Sequence, residues 1–140
     1  MRPIPPKRSD FSHWTTEKLR NADTDQFHHV NNAVLASFFE SGRMGVFSGE
    51  QVKALMGNAN IAVVQLLINF HKELFYPGEV SIGTLMKNIS ERSFTLTQGI
   101  FINDDCIASA DAICVLLDPL SSRATKINDS LRQHLLGANG

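Results

Sequence analysis

The stretch Asn32–Phe47, NAVLASFFESGRMGVF, decides the fold. Leu35, Phe38, Phe39, Gly42 and Val46 recur at spacings of three and four, which lays one apolar stripe along a helix. Asn31 or Asn32 can cap its start with a side-chain oxygen. Such a stripe needs a surface to cover it, and the rest of the chain reads as the supplier of that surface.

Upstream, residues 12–19 read as a first strand, with Trp14, Thr15 and Thr16 as β-formers. Residues 1–10 hold three prolines and three basic residues and read as an extended lead-in without the apolar segment of a secretory signal. Downstream, Ser48-Gly49-Glu50-Gln51 matches a capping box for a short second helix that Gly57 can end. The pattern then turns to β. Residues 59–70 are rich in Val and Ile, Tyr76-Pro77-Gly78-Glu79 signals a turn, and residues 80–90 and 93–103 follow as strands. Residues 106–117 read as a long buried strand stopped by Asp118-Pro119, and a last short helix spans about 128–136. One strand, a long helix, a short helix and four strands in meander order predict an α+β domain, residues 1–140, whose antiparallel sheet wraps the helix. A sheet of this size leaves edges open, which points to a dimer or higher oligomer.

Composition excludes other classes. Net charge is −1, from 13 basic and 14 acidic residues, with no basic run of the kind that grips nucleic acid. No apolar stretch approaches the roughly 18 residues a membrane span needs. Cys106 and Cys114 fall eight apart on one strand, about 26 Å at 3.3 Å per residue, too far for a disulfide. They read as buried free thiols in a reducing, cytoplasmic setting.

The densest polar cluster, Asp23-Thr24-Asp25-Gln26-Phe27-His28-His29-Val30-Asn31-Asn32, leads straight into the long helix. A helix start offers unpaired N–H groups and a positive dipole end, which suit an oxyanion. A carboxylate just upstream can attack a carbonyl or take a proton from water. The plainer reading makes these residues caps and loop hydrogen bonders. Asp23, Asp25 and His29 also admit a metal reading, but no second cluster completes it, and none is expected.

Asp23-Thr24-Asp25 followed by His29-Val30-Asn31-Asn32 resembles the Asp-x-Asp-x-x-x-His-Val-Asn-Asn signature of the 4-hydroxybenzoyl-CoA thioesterase family of hotdog proteins. The likeness continues in Phe39-Glu40-x-x-Arg43, in Tyr76-Pro77-Gly78-Glu79-Val80, in Arg92-Ser93-Phe94 and in residues 108–118, and covers roughly residues 12–127. The resemblance implies a hotdog fold, a five-stranded antiparallel sheet around one long central helix. It implies a homodimer or homotetramer with its active site at the subunit interface, and hydrolysis of an acyl-CoA without a cofactor, CoA being part of the substrate. It implies Asp25 as the catalytic carboxylate, either nucleophile or general base, and the backbone N–H near Asn32 as oxyanion donor. His28, His29 and Asn31 then fall in the substrate pocket. His28 departs from the pattern, which has Gly there. Glu40 is a second-choice carboxylate, set against a structural salt bridge with Arg43. Arg123 and Lys126 could meet CoA phosphates, or form only a solvated basic turn. His13, His71 and His134 read as surface or strand residues. The alternatives are a hotdog enoyl-thioester hydratase or dehydratase using Asp23 and His28, and a non-catalytic acyl-CoA-binding module.

Overall fold

A computed structural model describes residues 2–137. Strand β1 spans His13–Lys18, helix α1 Asn32–Phe47, helix α2 Glu50–Met56, and helix α3 Asp129–Gly137. Four further strands follow α2: β2 Asn60–Phe70, β3 Glu79–Ile89, β4 Ser93–Ile102 and β5 Asp105–Leu117. All pair antiparallel in one five-stranded sheet, and α1 packs against β1, β3 and β4. This is the expected hotdog arrangement.

The spatial order β1-β3-β4-β5-β2 corrects the expected meander. Strands β3, β4 and β5 do follow one another, but β2 pairs with β5 at the far edge, from Asn60 opposite Leu117 to Phe70 opposite Ala108. The chain between β2 and β3 therefore crosses the end of the sheet instead of closing a hairpin. That crossing, residues 71–78, runs beside the polar loop ahead of α1: the Val30 N–H donates to the Leu74 carbonyl at 2.7 Å.

Helix α1 occupies the boundaries expected of it, and Asn31 caps it by accepting from the Ala33 N–H at 2.8 Å. Its buried face carries Leu35, Phe38, Phe39, Gly42, Arg43 and Phe47. Phe39, wholly buried, packs with Ile82, Ile100 and Ala108, a burial worth roughly 1.5–3 kcal/mol. Gly42 is required by close approach: a Cβ there would lie 2.7 Å from both Gln98 Nε2 and Ile82 Cγ2. A second cluster under the other end of α1 joins Phe47, Val52, Phe94, Leu96 and Cys114 to Leu131 and Leu135 of α3.

Three local expectations need correction. Ser48 does not cap α2. It closes α1, with its hydroxyl donating to the Gly45 carbonyl at 3.1 Å, and Gly49 takes the N-cap position without a side-chain bond. Glu40 and Arg43 do not pair: Glu40 is exposed, while Arg43 is 5% exposed and donates from Nη1 to Gln98 Oε1 at 3.2 Å. The lead-in is not wholly extended, since residues Arg8–Asp10 form a 3₁₀ turn; Met1 lies outside the described residues.

Both cysteines are free and buried, as read from their spacing. A register shift beside Ile107 sends them to opposite faces of the sheet. Cys106 sits with Phe11 and Phe101, and Cys114 with Phe94 and Leu96. Burial pushes the Cys106 thiol up to about 11, so it stays protonated and unreactive at neutral pH. Among the described residues, no helix is long and apolar enough to cross a membrane.

Candidate active site

The loop between β1 and α1 folds on itself before the helix begins. The Asp25 N–H donates to the His29 carbonyl at 2.8 Å, and the His28 N–H donates to the Asp25 carbonyl at 3.0 Å. This closed turn forces His28 into the left-handed region, at φ 66°. The backbone thus keeps the conformation that suits a glycine, with a histidine occupying it.

Asp25 stands at the mouth of this turn, half-buried. Its Oδ1 accepts from the Phe27 N–H at 2.9 Å and from the His29 N–H at 3.2 Å. Oδ2 accepts no hydrogen bond among the described residues, so backbone fixes one oxygen and leaves the other without a partner. Two residues away, Asp23 does the opposite. It is 1% exposed, and both its oxygens are taken by the backbone N–H and guanidinium of Arg20, at 2.8 Å each. Loss of water around Asp23 raises its pKa, but the Arg20 hydrogen bonds and charge outweigh that and hold it below the ordinary carboxylate value. The Asp23 carbonyl accepts from the Asn31 N–H at 2.9 Å, so this loop anchors the helix start.

At that start, Asn31, Ala33 and Val34 all commit their N–H groups, to the Asp23 carbonyl, Asn31 Oδ1 and the Asn31 carbonyl. The Asn32 N–H is the one left at the first helical position, where no intrahelical acceptor exists. A cleft of about 390 Å³ opens there, lined by Asp25, His29, Asn32, Leu35, His71 and Glu73 among others. His29 is held edge-on to Phe75, ring centres 5.0 Å apart, with Nε2 3.5 Å from Glu73 Oε2. Among the described residues no group of three His, Cys, Asp or Glu side chains could hold a metal ion.

Of the residues singled out in the sequence, Asp25, His29 and Asn32 converge on this cleft. His28 projects from the turn, exposed, and Asn31 spends its side chain on the cap; neither lines the cleft, and nor does Glu40. Asp23 faces inward and His28 outward, so they form no acid–base pair. Arg123 and Lys126 lie elsewhere: Lys126 pairs with Glu91 at 3.5 Å, beside a depression at the far end of β3, and Arg123 is exposed in the turn after β5. Reading the sequence missed His71, Lys72 and Glu73, which the crossing after β2 carries to the cleft. His71 bonds Ser109 through Nε2 at 2.8 Å. No local motif marks these residues, because only the β2–β5 pairing brings them there.

Residues 19–135 match the family model described as the thioesterase-like superfamily. Over 125 residues the chain is 27% identical to the long-chain acyl-CoA thioesterase FadM of Escherichia coli, covering 86% of this chain and 95% of FadM. The PA5185 protein of Pseudomonas aeruginosa superposes with a TM-score of 0.85 at 20% identity, covering 98% of each chain. A Thermus thermophilus thioesterase solved with coenzyme A and zinc superposes with a TM-score of 0.81 at 20% identity, covering 94% of this chain and 97% of its own.

Proposed function

The chain belongs to the thioesterase-like superfamily, and from that premise we propose that it hydrolyses an acyl-CoA thioester to a free acid and CoA, driven by Asp25. It is a thioester hydrolase of hotdog fold. The CoA assignment draws on FadM, named for acyl-CoA hydrolysis, and on the coenzyme A in the Thermus thioesterase.

One observation carries the assignment of Asp25: it lines the cleft together with Asn32, with Oδ1 pinned by two backbone N–H groups and Oδ2 accepting no hydrogen bond among the described residues. Two routes use that oxygen. It can attack the thioester carbonyl and form an acyl-aspartate that water then cleaves, or it can take a proton from an attacking water. In both, the carbonyl oxygen gains charge, the Asn32 N–H and the helix dipole stabilise it, and CoA leaves as thiolate. The net reaction consumes one water and yields one acid and one thiol.

The functional unit is at least a dimer, in a cytoplasmic setting. Support comes from β2, an edge strand on which Val64 is 61% and Leu67 53% exposed. The test is release of free thiol from aromatic, short-chain and long-chain acyl-CoAs. Turnover of one class is expected. A change in enoyl absorbance without thiol release would favour a hydratase, and tight binding without turnover a carrier.

A further inference from the structure

We propose that residues 2–7 form a basic strap that holds the phosphate-bearing end of the CoA substrate. The inference rests on the acyl-CoA reading above and assigns the grip on that end of the substrate to a part of the chain ahead of the family match.

The strap is anchored from behind the sheet. Phe11 is buried against Gly83, where a Cβ would come within 2.5 Å of its Cγ, and meets Trp14 and Phe101 edge-on at 5.8 Å. Arg8 donates to the Asn103 carbonyl at 2.8 Å and lies 4.4 Å over the Trp14 ring. Fixed at these points, and stiffened by Pro3, Pro5 and Pro6, residues 2–7 form one wall of a groove of about 770 Å³. Phe70, His71, Lys72 and the Asp104–Cys106 turn complete the lining. Arg2, Phe70, His71 and Lys72 also line the Asp25 cleft, so the groove and the cleft are continuous.

The charges select the occupant. Arg8 is committed to the sheet, and Lys72 to Asp105 at 2.8 Å. Arg2 and Lys7 enter no ion pair among the described residues. Arg2 stands close enough to His71 that, after burial, its charge is the next cause holding His71 below its ordinary pKa. The groove's lining carries Arg2, Lys7, Arg8 and Lys72 against the carboxylates of Asp104 and Asp105, and this cationic excess, with Arg2 and Lys7 on the strap next to the cleft, matches the pyrophosphate and 3′-phosphate of CoA. An acyl tail would gain nothing from them.

The test compares the wild type with Arg2→Gln/Lys7→Gln and with Lys7→Gln alone, Lys7 lying outside the Asp25 cleft, on decanoyl-CoA and on decanoyl-pantetheine, which lacks the phosphates, and titrates CoA calorimetrically into all three. We expect KM for decanoyl-CoA and Kd for CoA to rise about tenfold in the double variant and about threefold in Lys7→Gln, with decanoyl-pantetheine kinetics unchanged in Lys7→Gln. The salt dependence of KM should shrink in both variants. Unchanged KM and Kd overturn the strap and leave the thioesterase reading standing, as does an equal rise on decanoyl-pantetheine in Lys7→Gln. A wild type that releases no thiol from any acyl-CoA overturns that reading instead. The strap is then judged on the CoA titration alone, where a Kd unaltered by the substitutions, or no binding at all, refutes it.

Discussion

Asp25 and His29 are tied to each other twice: the Asp25 N–H donates to the His29 carbonyl at 2.8 Å, and the His29 N–H donates to Asp25 Oδ1 at 3.2 Å. The carboxylate is thereby held by backbone rather than by a long side chain, and in the role proposed for it such placement would cost no reorganisation during reaction.

Replacing the free oxygen tests its role directly. Asp25→Asn keeps the size of the side chain and removes its charge and nucleophilicity. It should lower kcat about 100-fold or more, on the order of 3 kcal/mol in barrier, with a much smaller change in KM. Glu40→Gln should leave kcat within a few-fold. Steady-state thiol release on both variants decides it, and the reverse ranking would move the carboxylate onto α1.

His28→Gly removes a side chain from a backbone position at φ 66°. The variant should fold, with stability equal to the wild type within about 1 kcal/mol and activity equal or higher. His28→Val should lose about 1–2 kcal/mol, since a β-branched residue resists that conformation. Urea unfolding of the three proteins measures both effects. A folded but inactive His28→Gly protein would give the imidazole a direct part in the chemistry.

Asp23 sets an acid limb to stability. Its folded pKa lies below its unfolded value, near 3.9, so its contribution is complete above that value and is lost as pH falls through the lowered folded one. Unfolding followed from about pH 6 down to pH 2 should show this loss in the wild type. In Asp23→Asn the limb should flatten while stability near neutral pH drops by about 1–3 kcal/mol. A limb of unchanged steepness would mean that other carboxylates dominate it.

Arg43 and Gln98 should couple. The guanidinium is 5% exposed, its Nε has no hydrogen bond among the described residues, and Gln98 Oε1 is its acceptor. Gln98→Leu strands that charge and should cost about 3 kcal/mol or more. Adding Arg43→Met should recover at least about 1 kcal/mol. A denaturant-unfolding double-mutant cycle with additive losses would refute the coupling.

The exposed β2 edge predicts assembly. The protein should sediment at a multiple of 15.5 kDa, and Leu67→Lys should shift it toward monomer and reduce turnover. A fully active wild-type monomer would count against the interface.

Much of this was legible in the sequence, for physical reasons. Helix α1 was readable to its ends because its stripe and its Asn31 cap are local properties, and Asp25 and His29 stood out because they share one short loop with Asn32. The place of β2 was not readable: a strand of Val and Ile fits beside β3 or β5 equally well, and the choice depends on how the crossing packs against the polar loop. His71 and Lys72 were hidden for the same reason. Arg43 misled because an i, i+3 partner on the helix is visible in the sequence, whereas Gln98, 55 residues away, is not. Ser48 fitted a capping box, but the end of α1 claimed its hydroxyl first.

The dent that seats Phe11 is made by an absence of side chains. Gly83 and Gly99 face each other across β3 and β4, and on Gly99 a Cβ would come within 2.6 Å of Phe101 and 3.3 Å of Phe11. This seat lies on the face of the sheet opposite α1, so the core packed around Phe39 does not depend on what precedes residue 8. Residues 2–7 can therefore change length and charge by drift or by engineering without disturbing the fold. With the role proposed for the strap, specificity for the carrier portion of a substrate would be a detachable trait, inherited separately from the chemistry proposed at Asp25.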